Sequence, residues 1–126
     1  MHVKKFKQVT KLSSEERYSY SIRKIADFEE LWVLKTDEGW TMISDSNTNV
    51  FPVWPEKEFA QGYCRETLQN CYADKIDLNE FLEKWLPGLV NDDVQIVVFP
   101  VEDFKGVVVT TNKFKRDLLE ESAQYE

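Results

Sequence analysis

The stretch IDLNEFLEKWLPGL (residues 76–89), followed shortly by VQIVVF (residues 94–99), decides the fold. Apolar side chains recur through the first stretch at the spacing of one helix face. Asp77 and Glu80 have the spacing of a capping box at its start, and Pro87 predicts its end within a turn. The second stretch is almost continuously apolar, which predicts a strand that is covered on both faces and central in its sheet. Together they indicate helices packed on a sheet.

The residues before this stretch predict one helix and three strands. Ser13 and Glu16 have the spacing of another capping box, and the apolar stripe that follows predicts a first helix ending near Phe28. Residues 31–44 are typical of a hairpin around a glycine-containing turn. Residues 50–54 predict a third strand, which a proline at its centre confines to a sheet edge or a bulge.

Further elements complete the predicted order. Pro55 suits the first turn of a second helix, whose apolar face continues to Leu68 and whose exit we expect at residues 70–74. Residues 107–111 predict a strand that forms a second hairpin with the buried strand, and a short terminal helix follows.

The elements add up to an α+β fold with one domain. We expect a mainly antiparallel five-stranded sheet with about four helices, in the order α-β-β-β-α-α-β-β-α. The domain takes in residues 13–126, and residues 1–12 form a basic N-terminal lead.

The charge is unevenly distributed along the 126 residues. Residues 1–24 carry seven basic and two acidic side chains, a net charge of +5, whereas residues 25–126 carry nine basic and 21 acidic ones, a net charge of −12. An anionic body repels phosphate backbones and anionic lipids and attracts basic partners. Solubility alone is the simpler explanation of the same charge.

The composition offers little for catalysis or metal binding. With one histidine and two cysteines, we expect no catalytic, cofactor-binding or metal site. Cys64 and Cys71 would lie about 10 Å apart if both were helical, beyond disulfide reach, so we expect core-filling thiols. The carboxylates of residues 74–83 are explained as a helix cap and a solvent face rather than as a calcium loop. Without an apolar run near 18 residues or a signal-peptide pattern, we expect a cytoplasmic protein with no membrane partner.

Aromatic and basic residues supply two further interpretations. Of the four tryptophans, we expect Trp85 to be structural, whereas Trp40 lies beside a tight turn where it is available for recognition. The lead Lys4-Lys5-Phe6-Lys7 has residues that nucleic-acid-binding proteins use. The acidic body behind it favours a simple terminal arm instead.

The run Asp-Leu-x-Glu-Phe-Leu-x-x-Trp-Leu-Pro-Gly occupies residues 77–88, and Trp54-Pro55 precedes it in the chain. Together with residues 16–34, 37–40, 53–60 and 97–109, it resembles a bacterial family called domain of unknown function 2750. The resemblance extends over about residues 14–126, and the run at residues 77–88 with Trp54-Pro55 is its most specific block. The resemblance implies a small cytoplasmic α+β domain with no established activity, so it assigns no functional residue. Some proteins similar to this family are found beside secreted toxins.

These observations favour a non-enzymatic protein-binding module with a basic protein partner. Its most concrete form is an immunity-type inhibitor of a basic toxin domain, in which exposed carboxylates capture cations and an aromatic side chain anchors the contact. The candidate partner-binding residues lie in turns. They are Asp37, Glu38, Trp40, Asp45, Asp92, Asp93, Glu102 and Asp103. The alternatives are a small enzyme with an unrecognised carboxylate site and a nucleic-acid-binding regulator that uses the N-terminal arm. The sequence leaves the oligomeric state open.

Overall fold

The helices of the chain pack against two short sheets in a computed structural model, which describes residues 1–45, 48–102 and 106–125. The described residues contain five helical segments, two of which include a π-helical turn. The α-helices are α1 (Val3–Thr10), α2 (Ser14–Phe28), α3 (Lys57–Tyr63), α4 (Leu78–Glu80), α5 (Leu86–Asn91) and α6 (Thr111–Ser122). π turns at Cys64–Leu68 and Phe81–Trp85 extend α3 and join α4 to α5, and a 3-10 turn at Ala123–Tyr125 follows α6.

Seven strands form the two sheets in the described part of the chain. They are β1 (Glu30–Thr36), β2 (Gly39–Trp40), β3 (Ile43–Asp45), β4 (Thr48–Val53), β5 (Tyr72–Asp77), β6 (Gln95–Val98) and β7 (Val107–Val109). The three-stranded sheet has the order β2-β1-β5, and the four-stranded sheet has the order β3-β4-β6-β7. All pairs are antiparallel except β4 with β6. The predicted α+β class is confirmed, but the expected five-stranded sheet is in fact two sheets.

A bridge between two tryptophans joins the sheets. The backbone N–H groups of Trp32 and Trp54 each donate to the other residue's carbonyl, at 2.8 and 2.9 Å. N–H groups of alternate residues point to the same side of a strand, so the position of Pro52 faces the same side as Trp54. On that side β3 pairs only as far as Val50. Pro52 therefore lies in a gap of the ladder, which is how an interior strand tolerates it. Of the two expected positions, a sheet edge or a bulge, the sheet edge is wrong because β4 lies between β3 and β6.

The core forms around β6. Ile96, Val97 and Val98 are fully buried, and β6 lies between β4 and β7 as its apolar sequence predicts. From α6, Phe114 and Leu118 are buried in the same core. Ser13 and Glu16 form the predicted capping box of α2, and Asp77 caps α4 by accepting from the N–H groups of Asn79 and Glu80.

The segment 64–77 differs most from the sequence-based expectation. The π turn ends at Leu68, and Gln69 and Asn70 have left-handed φ angles of 58° and 55°, so the chain reverses. This reversal brings the Cα atoms of Cys64 and Cys71 to 5.9 Å, and the two cysteines form a disulfide. The expectation of two separate thiols is wrong because the helix does not continue to Cys71. Residues expected to form a helix exit instead begin β5, which pairs with β1 from Tyr72 to Asp77.

The basic N-terminal lead contains a helix that is docked on the body. The Phe6 ring of α1 stacks on the Phe59 ring with centroids 5.3 Å apart. Lys5 Nζ lies 3.0 Å from Glu56 Oε2, and the Tyr20 hydroxyl donates to the other oxygen of the same carboxylate. The partly buried Phe6 ring is therefore engaged with the protein itself.

Candidate functional site

An aromatic cleft of about 330 Å³ lies between the β1–β2 hairpin and the helical segment 78–91. Its walls include the indole rings of Trp40 and Trp85, which meet edge to face with centroids 4.6 Å apart. The Phe51 ring packs against Trp85 at 5.7 Å. The remaining lining residues are Met42, Lys84, Gly88, Leu89, Asp92 and Val94.

The tight turn of the hairpin places Trp40 at the rim of this cleft. Gly39 has φ +124°, a conformation that other residues rarely adopt, and the Thr36 hydroxyl accepts from the Glu38 N–H at 3.1 Å. Lys35 and Trp40 are cross-strand partners, and Lys35 Nζ lies 4.7 Å from the centre of the Trp40 ring. Cross-strand neighbours stand on the same face of the sheet, which explains this cation–π contact. Trp40 keeps 41% of its surface exposed.

Trp85, which contacts Trp40 in the cleft, is the last residue of a π turn. The turn Phe81–Trp85 replaces i→i+4 with i→i+5 spacing, so later side chains are rotated relative to the stripe before the turn. Phe81 and Leu86 are buried, whereas Trp85 is half-buried and borders the cleft. The expectation that Trp85 is structural is therefore incomplete, because the ring both packs on Phe51 and lines the surface.

One carboxylate, that of Asp92, lines the cleft, and three others are close in sequence to lining residues. Asp37 and Glu38 lie exposed in the hairpin turn, and Asp92 and Asp93 follow the last residue of α5. The C-terminal end of a helix carries partial negative charge, which adds to the charge of these two aspartates. Lys35 and Lys84 are the nearby cations. Within the described part of the chain none of the four carboxylates forms an ion pair, so their charge faces solvent.

The structure brings some of the candidate residues together and separates others. Trp40 and Asp92 line the same cleft, with Asp37, Glu38 and Asp93 in the turns beside them. Glu102 lies elsewhere, in a cleft that it shares with Phe6 and Glu66. Asp103 and the side chain of Asp45 lie outside the part that the structure describes.

Sequence reasoning missed other members of the cleft. Met42 is 45% exposed between β2 and β3, and no sequence pattern distinguishes it from a core methionine. A Cβ atom added at Gly88 would meet no atom within 4 Å, so this glycine leaves the cleft open. The sequence gives no sign of this role for Gly88, whose place beside Trp40 depends on the packing of the hairpin.

In the described ranges, no three side chains of the His, Cys, Asp or Glu type converge as a metal site would require. No helix in those ranges has the length and apolar character needed to span a membrane.

Comparison with known proteins identifies the family. The profile described as "Protein of unknown function (DUF2750)" matches residues 18–118, which include every residue of the aromatic cleft. The chain belongs to this family. The resemblance noted in the sequence is thereby confirmed, and α1 lies outside the matched residues. None of the curated proteins matches the chain.

Proposed function

We propose that this DUF2750 protein is a protein-binding module whose aromatic cleft receives a basic side chain of its partner. The exposed Trp40 ring beside Trp85 carries the proposal, because large exposed aromatic side chains are the usual anchors of protein interfaces. We infer no catalytic role for the cleft, since its lining contains neither a nucleophile with an adjacent base nor a histidine.

The electrostatics of the cleft support a basic partner. The carboxylates of Asp37, Glu38, Asp92 and Asp93 outnumber the ammonium groups of Lys35 and Lys84. Complementary charge of this kind raises association rates and selects among partners. Lys35 already lies over the Trp40 ring, which illustrates that this ring accepts a cation.

An immunity-type inhibitor of a basic toxin domain is the narrower form of this proposal. Only two observations support this narrower form: the net charge of residues 25–126 and the family resemblance. Co-expression with the product of the neighbouring gene tests it: rescue of growth that is lost with Trp40→Ala supports it, and no rescue contradicts it.

A cytoplasmic location is also part of the proposal. The Cys64–Cys71 disulfide weighs against it, because cytosolic thiols are kept reduced. Cell fractionation with trapping of free thiols tests the location directly.

A cleft-filling variant tests the site. In Gly88→Leu the added side chain enters open space on a helix, so we expect the fold to be kept and the cleft to be blocked. Asn79→Leu is the matched control, since Asn79 is exposed on the same helical segment and does not line the cleft. The native partner is captured from lysate, purified and titrated calorimetrically into each form. We expect binding at least tenfold weaker for Gly88→Leu and unchanged for Asn79→Leu, and equal weakening of both would contradict the proposal.

A further inference from the structure

A second groove, of about 600 Å³, lies on a different part of the surface between α1 and α3. Its apolar lining includes Val3 and Phe6, and Val3 is 67% exposed. None of the residues that line it lines the aromatic cleft. The two surfaces are therefore separate sites.

Specific contacts hold the two walls of this groove in place. Phe6 reaches α3 at Gly62, where an added Cβ atom would lie 3.0 Å from the Phe6 ring. This close approach allows Phe6 to stack on Phe59, and the Lys5–Glu56 ion pair fixes the same helix at the start of α3. The groove is thus a defined part of the fold, formed with a helix that the family match does not include.

Cationic side chains outnumber carboxylates around the groove, by three to one. Lys57 and Arg65 are exposed eight residues apart on the α3 segment, which separates them by about 12 Å along the helix. Lys7 is exposed on the opposite wall, and Glu58 is the one carboxylate among the lining residues. A ligand with a single anionic head group reaches only one end of this arrangement. An extended ligand with repeated carboxylates satisfies both ends.

We propose that the α1–α3 groove binds an acidic amphipathic helix of a partner protein. A helix rises about 12 Å in eight residues, so carboxylates two turns apart face Lys57 and Arg65. Apolar side chains at the intervening i+3 and i+4 positions then contact Val3 and Phe6, as in other complexes of a helix with a groove. This proposal is independent of the aromatic cleft. Its partner is acidic, whereas the partner proposed for the aromatic cleft is basic.

The test is an NMR titration of the ¹⁵N-labelled full chain. The probe is an 18-residue helical peptide with a leucine stripe and glutamate at the other positions, and the comparison peptide has lysine at every glutamate position. We expect the acidic peptide to shift the amide resonances of residues 3–10 and 57–65 and to leave residues 84–94 unchanged. We expect its affinity to fall steeply with salt.

Charge-reversal variants complete the test. Lys57→Glu with Arg65→Glu should weaken binding at least tenfold, and Lys7→Glu should weaken it from the opposite wall. Lys75→Glu with Lys115→Glu changes the net charge equally at exposed positions outside the groove and should change the affinity less than twofold. Equal binding of the lysine peptide, or unchanged binding by the groove variants, would overturn the proposal. So would sedimentation of a dimer that the groove variants abolish, or capture of the chain by anionic vesicles, since these would make the occupant a second copy or a lipid.

Discussion

The Trp40 and Trp85 rings meet edge to face with their centroids 4.6 Å apart, although they lie 45 positions apart in the sequence. One ring comes from a hairpin and the other from a helix that begins after β5. Their contact makes the aromatic cleft a product of tertiary packing, and it gives the two residues different roles in stability and in binding.

Replacing each tryptophan by alanine should separate these roles. Trp40→Ala loses one edge-to-face pair and the Lys35 contact, so we expect a cost of about 1–2 kcal/mol in the free energy of unfolding. Trp85→Ala also leaves a space beside Phe51, and we expect a cost of about 3 kcal/mol. Urea denaturation measures both. A larger cost for Trp40→Ala would contradict its position at the surface.

Two glycines should respond to alanine with opposite signs. At Gly106 an added Cβ atom would lie 2.6 Å from Val97 Cγ2 and 2.9 Å from the Val98 carbonyl oxygen, so we expect Gly106→Ala to destabilise the fold by about 1–3 kcal/mol. At Gly88 the added atom meets open space within α5, so Gly88→Ala should stabilise it by about 0.5–1 kcal/mol. Thermal denaturation measures both variants, and each serves as the control for the other. Equal shifts would show that β6 yields to the added methyl group.

The Cys64–Cys71 disulfide should add measurable stability. It closes a short loop, because the cysteines are seven positions apart, and the loss of chain entropy in the unfolded state is worth about 2–3 kcal/mol. We expect dithiothreitol to lower the urea midpoint of the wild type to that of the Cys64→Ala, Cys71→Ala double variant. Alkylation and mass spectrometry verify the redox state of each sample. Identical midpoints for the oxidised and reduced wild type would contradict the prediction.

The carboxyl of Asp117 should make stability depend on acid pH. Burial raises its pKa, but hydrogen bonds from Lys113 and Tyr18, at 2.7 and 2.5 Å, and nearby positive charge lower the pKa overall. A carboxyl with a lowered folded pKa stabilises the fold above the ordinary aspartate value of about 3.9 and loses this effect as the pH falls through the folded pKa.

We therefore expect Asp117→Asn to cost about 1–2 kcal/mol near neutral pH and progressively less below about pH 4. Glu120→Gln, an exposed position on the same helix, is the control for the loss of one negative charge from α6. The measurement is urea denaturation at a series of pH values. A difference between wild type and Asp117→Asn that stays constant down to pH 2 would contradict the assigned pKa shift.

Local sequence patterns predicted two kinds of element. These are the helix ends that nearby residues stabilise and the strand that is buried on both faces. Ser13 and Asp77 cap helices as their spacing predicts, because a cap depends on residues within one turn. The apolar run at β6 predicted a central strand for a similar reason, since only burial on both faces suits such a run.

Elements that depend on distant partners were not predictable in the same way. Half of the residues of β5 are charged, and its pairing with β1 is visible only in three dimensions. The sequence predicted an exit from the helix at residues 70–74, but not the positive φ angles of Gln69 and Asn70 that turn the chain back and bring Cys71 to Cys64. Trp40 and Asp92 were both candidates because they lie in or near turns, but their position in one cleft follows from the packing of the hairpin against α5.

The indole N–H resonances of the tryptophans test the central claim most directly. A short arginine-rich peptide is titrated into the ¹⁵N-labelled protein, with the same peptide carrying glutamine for arginine as the neutral comparison. Trp54 is an internal control, because it is fully buried and its Nε1–H donates to the Pro100 carbonyl at 3.0 Å. We predict saturable shifts of the Trp40 and Trp85 resonances with the arginine peptide only, no shift of Trp54, and loss of the response in Gly88→Leu. Unchanged Trp40 and Trp85 resonances, or equal shifts with the glutamine peptide, would contradict the account.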